Sequence, residues 1–177
     1  MARALAGAGA DAGIAEVRAT YDRYIQDFPP ALVRRFESGD PVDYEALKLF
    51  RFPLLLIQGQ DVVQGDGVGS RVLIWDEATF DKNVCDAFGR AYAAGWRATK
   101  ATDVKVTLAA PDLAIVEMQG RRFGADGSTF NRVEASYWLR RFDDGWRIVA
   151  GFDCPGVIPQ AAEFAAWFGN VWPGAAD

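Results

Sequence analysis

Histidine is absent from all 177 residues, and that absence excludes more chemistry than any residue present supplies. Without imidazole there is no Ser-His-Asp or Cys-His nucleophilic machinery, and the commonest transition-metal ligand is missing. Cysteine is scarce: Cys85 and Cys154 are too few for a tetrahedral zinc site that has no imidazole partners. They would suffice for one disulfide, but nothing else in the sequence points to secretion, so two buried thiols are expected. Long apolar runs are lacking too, and no segment approaches the ~20 apolar residues that cross a bilayer. The opening MARALAGAGADAG has one Arg and a run broken by Gly7 and Gly9, without the longer greasy middle of a signal peptide. Dense cationic clusters are also missing. With a net charge of −5 and scattered Lys and Arg, the chain cannot displace counterions as a nucleic-acid binder must. A cytoplasmic protein with neither a membrane nor a nucleic-acid partner, and with no metal or organic cofactor, is the expectation.

What the chain does have is apolar and aromatic material. Half of its residues are hydrophobic, among them 6 Trp, 5 Tyr and 12 Phe, enough for one domain with a sizeable core. Residues 1–13 are small and read as a frayed start. From Ile14 the period is helical, with Ile14, Val17, Tyr21, Tyr24, Ile25 and Phe28 on one stripe, and the Pro29–Pro30 pair is expected to end that helix. PALVRRFESGD reads as a second short helix closed by Gly39, and DYEALKLFRF as a further turn or two before Pro53. FPLLLIQGQDVVQGDGVGSRVLIW reads as strands joined by a glycine-rich turn. Asp76 is placed as the N-cap of a long helix whose buried stripe is Phe80, Val84, Phe88, Ala91 and Tyr92. From Ala98 to Asp153 the pattern is strand and turn, a four-strand antiparallel meander. Helices first and a meander last make an α+β fold, not the alternation of a parallel sheet. Residues 156–177 carry Phe164, Trp167, Phe168 and Val171 at helical spacing, a helix docking on the domain or on a dimer.

Two short stretches invite stronger readings than they support. GDGVGS lacks the Gly-Lys-Ser/Thr ending and following helix of a phosphate loop, and reads as a hairpin turn. FDDG carries adjacent carboxylates where a turn favours Asp for its backbone geometry.

The meander's end, YWLRRFDDGWRIVA, resembles the penultimate strand, turn and last strand of SnoaL-like domains, and ALKLFRFPLLLI resembles the approach to their first strand. Over residues 14–155 the chain is thus similar to the NTF2-like superfamily, which includes ketosteroid isomerases and polyketide cyclases. The resemblance implies a cone, with N-terminal helices packed on a strongly curved, mainly antiparallel sheet whose concave side lines a pocket. By alternation Val133, Ala135, Tyr137 and Leu139 share one strand face, suited to the concave side, with Trp146, Ile148, Ala150 and Phe152 continuing it. On the preceding strand, pattern alone leaves two sets open. The resemblance implies that Ile115, Glu117 and Gln119 face inward; otherwise Glu117 faces out, paired with Arg121, Arg132 or Arg140.

DRYIQDF resembles the first helix of the isomerases, where a tyrosine at the Tyr24 position donates a hydrogen bond to the substrate oxygen. On that likeness Tyr24 and Tyr137 would polarise an oxygen while Glu117, or Asp61, moves a proton. Gln58 stands where the isomerases carry their general-base Asp. Phe28, Phe52, Gln58, Tyr92, Trp96, Ile115, Gln119 and Ile148 are expected to line the cavity; Phe52, Tyr92 and Trp96, like Trp75 and Phe80, serve equally as wall or plain core. Against that likeness, both tyrosines read as ordinary amphipathic core residues with satisfied hydroxyls. Three functions follow as expectations: a cofactor-independent isomerase, cyclase or lyase acting on an apolar oxygenated molecule, a non-catalytic binder of such a molecule, or a dimerisation and protein-interaction module. A homodimer through the outer sheet face is expected.

Overall fold

The computed structural model describes residues 2–58 and 70–153, with side chains over 11–55 and 74–151. Helix α1 (Ala2–Ser38) comes first, followed by the single turn α2 (Tyr44–Leu47) and strands β1 (Phe50–Gln58) and β2 (Ser70–Ile74). Helix α3 (Glu77–Ala93) then leads into the meander β3 (Ala98–Ala110), β4 (Leu113–Phe123), β5 (Thr129–Phe142) and β6 (Gly145–Asp153). All strands join one sheet in the order β2-β1-β6-β5-β4-β3, antiparallel except where β1 lies parallel to β6. The α+β class and the curled sheet match the sequence expectation. Among the described residues no helix is long and apolar enough to cross a membrane.

Helix α1 departs from expectation. It does not stop at Pro29 and Pro30 but runs through both, and it starts upstream of Ile14. Each proline removes one backbone donor, which ordinarily breaks a helix. Here the residues on either side hold the axis: Phe28 is 2 % exposed and Leu32 fully buried, so tertiary packing outweighs the lost bonds. The helix ends where a left-handed residue is tolerated, at Gly39 with φ +83°, whose N–H caps the Arg35 carbonyl at 2.8 Å.

Local signals were sound elsewhere. The Asp76 carboxylate accepts from the Thr79 N–H at 2.7 Å, capping α3, whose Phe80, Val84 and Ala91 are buried. The β5–β6 turn is closed by Gly145 at φ +111°, where a side chain would be strained. Between the register pairs Trp138–Ala150 and Leu139–Ile148, β6 carries one extra residue, Val149. This bulge reverses the alternation. Trp146 and Ile148 therefore join the inner core, whereas Ala150 sits with Trp138 and Val149 in a separate outer cluster. The expected inward run is corrected at Ala150 on that ground; the side chain of Phe152 lies outside the described residues.

The core lies between the inner sheet face and the helices. Val17, Tyr21, Tyr24, Phe28 and Leu32 of α1 pack with Phe80 and Val84 of α3 over Ala114, Val116, Met118, Val133, Ala135, Leu139 and Ile148. Asp81 ties the helices together. It accepts from the Arg35 guanidinium at 2.7 Å and the Tyr44 hydroxyl at 2.8 Å, joining α1, α2 and α3. Burial, then the bond to Asp81, pushes the Tyr44 phenol well above its ordinary range. Cys85 is a free thiol 3.7 Å from the same carboxylate, and burial raises its pKa. Cys154 and the expected C-terminal helix lie outside the described residues.

Candidate functional site

The inner face brings three phenols together. Tyr24 of α1 and Tyr137 of β5 share a hydrogen bond of 3.1 Å in which either hydroxyl can donate. Their ring centroids are 5.0 Å apart. Tyr21, one helical turn before Tyr24, lies 5.6 Å from the Tyr24 ring and 5.4 Å from the Tyr137 ring. It is 0 % exposed, and its hydroxyl has no hydrogen-bond partner among the described residues. Burial, and next the neighbouring Tyr24, push its pKa far above the ordinary phenol value, so Tyr21 remains a neutral O–H donor at every physiological pH. Beyond the phenols the rings continue: Phe28 meets Phe50 at 5.0 Å, and Phe50 meets Phe80 at 4.6 Å.

The expected carboxylate is not there. Val116 and Met118 of β4 are buried against the helices, so Ile115, Glu117 and Gln119 face the outer side. Glu117 is 39 % exposed and pairs with Lys105 on β3 at 3.3 Å. Ile115 packs in the outer cluster with Trp138, and Gln119 is exposed. The cause is desolvation: one register puts two apolar side chains in the core, the other would strand a charge there. The ion pair with Lys105 replaces the expected arginines.

The other expected residues divide. Phe28 and Ile148 lie in the core, and Phe52 packs against it. Trp96 is fully buried and donates through Nε1 to the Thr99 hydroxyl at 3.0 Å. Tyr92 is at the far end of α3, stacked under the Arg97 guanidinium at 3.7 Å. Phe80 is core, whereas Trp75 is exposed. The side chain of Gln58, and the whole of Asp61, lie outside the described residues. Tyr21 was not singled out as a site residue, although its i, i+3 spacing to Tyr24 placed it on the same stripe.

A family model described as NTF2-like protein (DUF6841) matches residues 15–155. The chain belongs to that NTF2-like family. Solved structures agree on the fold of this NTF2-like chain. A domain of unknown function with a cystatin-like fold from Nostoc punctiforme has a TM-score of 0.52 at 16 % identity, covering 92 % of this chain and 88 % of that one. An uncharacterized protein with a cystatin-like fold from Caulobacter vibrioides has a TM-score of 0.51 at 15 % identity, covering 88 % and 97 %. No curated protein matches the chain.

Proposed function

We propose that this NTF2-like protein binds a small, largely apolar molecule on its inner sheet face. An oxygen of the ligand accepts a hydrogen bond beside the Tyr24–Tyr137 pair. The observation that carries this reading is the Tyr21 hydroxyl, which is wholly buried yet has no partner among the described residues. An orphaned buried donor costs about 1–3 kcal/mol, a penalty that a ligand oxygen removes on binding. The aromatic surroundings favour a flat apolar body, and neutral phenols favour a carbonyl or similar acceptor over a cation.

Binding, rather than proton transfer through Glu117, is the function this arrangement supports. A general base must reach the proton it takes, and the Glu117 carboxylate lies on the opposite face of the sheet. Titration with 2-acetonaphthone and with naphthalene, followed by intrinsic tryptophan fluorescence, tests the proposal. The ketone should bind on the order of tenfold more tightly than the hydrocarbon. Equal affinity for the two would show that no protein donor meets the oxygen.

A further inference from the structure

The outer face of the sheet is closed unevenly. Register sets its side chains in rows across the strands: Thr107, Ile115, Trp138 and Ala150 form one, and Leu113, Arg140 and Arg147 the next. Toward β3 and β4 the face is open, with Lys105, Thr107 and Gln119 exposed. Toward β5 and β6 it is shut. Trp138 is 4 % exposed and Arg147 5 %, while Val149 and Ala150 are fully buried. The residues that pack with Trp138, Val149 and Ala150 are Leu55, Leu113, Ile115 and Phe142, all from strands of the same sheet. Arg147 donates to the Trp146 carbonyl and to Asp144, within its own turn. Side chains standing side by side on one sheet face shield one another's flanks but not their tops. An indole and a guanidinium with only such neighbours would stay wetted, so a further layer lies over β5 and β6. Helices α1 and α3 do not supply it, because they pack on the inner face. The closure is present in a single chain, so a second copy does not supply it either.

We infer that the C-terminal segment, residues 154–177, folds back over β5 and β6 and forms that layer. Strand β6 ends at Asp153, so the segment starts at the edge of the covered patch. Its Phe164, Trp167, Phe168 and Val171 recur at helical spacing and supply the apolar face that Trp138 and Val149 need. It carries no Lys or Arg, so nothing in it repels Arg140 and Arg147. The β1–β2 connection, GQDVVQGDGVG, offers nothing bulkier than Val and Gln and suits the task less. Reach is ample: ten extended residues span roughly 30 Å. A helix over residues 160–172 would be about 20 Å long, or about four strand spacings. The segment thereby withholds the β5–β6 side of the outer face from any second copy and leaves only the β3–β4 side open to one. The layer lies across the sheet from the phenols and does not rest on the ligand-binding reading.

The test uses the full chain and NMR. In a uniformly labelled sample, nuclear Overhauser contacts should join the Val149 methyls to ring protons of Phe164, Trp167 or Phe168. In a mixture of labelled and unlabelled chains, isotope filtering should remove those contacts, because they arise within one chain. Contacts that survive the filter would make the cover a second copy. Contacts from the Val149 methyls to residues 59–69 would make it the β1–β2 connection. Either result, or no contact between residues 154–177 and Val149 or Trp138, would overturn the assignment. The double variant Phe164→Ser and Trp167→Ser, in the full chain, should speed solvent exchange of the Trp138 indole N–H by about tenfold while the amides of α1 keep their protection. Unchanged Trp138 exchange in that folded variant would also overturn it, and should the variant fail to fold, the contacts of the unsubstituted chain decide.

Discussion

Replacing Tyr21 with phenylalanine deletes one oxygen and keeps the ring contacts at 5.6 Å and 5.4 Å with Tyr24 and Tyr137. In most proteins, removing a buried hydroxyl costs stability because its partner is left unsatisfied. Here the hydroxyl has no partner among the described residues, so the loss should be a gain. Relieving an orphaned donor should stabilise the ligand-free protein by about 1–2 kcal/mol. For a chain of this length that raises Tm by roughly 2–8 °C. Urea denaturation followed by fluorescence would report the same change as a higher midpoint with an unaltered slope. Ketone affinity should move the other way, falling by roughly fivefold for the loss of one neutral hydrogen bond. The two readouts together are diagnostic: a hydroxyl with only a structural role would not stabilise the free protein on removal. A midpoint lower by 1 kcal/mol or more (roughly the worth of one hydrogen bond) would refute the reasoning.

Alkaline titration extends the same logic. The Tyr21 and Tyr44 phenols are raised from 10.0, so above that pH they stay protonated in the fold while those of the unfolded chain ionise. The unfolded state then binds fewer protons, so stability is intact below about pH 10 and falls above it by about 1.4 kcal/mol per pH unit for each group. Tyr21→Phe should remove about half of that slope, and an unchanged slope would show that Tyr21 ionises freely in the fold. Gly120→Ala should destabilise by about 2 kcal/mol, since a methyl there would lie 2.7 Å from the Lys100 carbonyl oxygen and force β3 from β4; an unshifted denaturation midpoint would contradict this. Glu117→Gln should change stability by less than about 0.5 kcal/mol and leave ketone affinity unaltered, because its ion pair is solvated and outward. Loss of ketone binding in that variant would restore Glu117 to the site. Asp81→Ala should cost about 2–3 kcal/mol, read by calorimetry, as Arg35 and Tyr44 lose their common acceptor.

Much of the fold was legible residue by residue. The Asp76 cap, the Gly39 stop and the Gly145 turn are local, decided by a few neighbouring backbone groups, and each stands where the sequence indicates. The inward face of β5 was legible as well, since only one of its alternating sets is apolar enough to bury. Strand β4 was not: Leu113 and Ile115 make one set attractive and Val116 and Met118 the other. The choice depended on which set met the helices, a contact between residues far apart in the chain. The Val149 bulge and the passage of α1 through Pro29 and Pro30 escaped for a related reason. Both are local costs accepted for packing elsewhere.

The candidate site divides in the same way. The α+β order, the caps and turns, and Tyr24 and Tyr137 as inward residues were determined by the sequence, because periodicity and turn chemistry act over short range. Only the tertiary structure decided that Tyr21 would be left without a partner among the described residues and that Glu117 would face Lys105. Burial and hydrogen-bond satisfaction are properties of a whole packed interior. No window of neighbouring residues contains them.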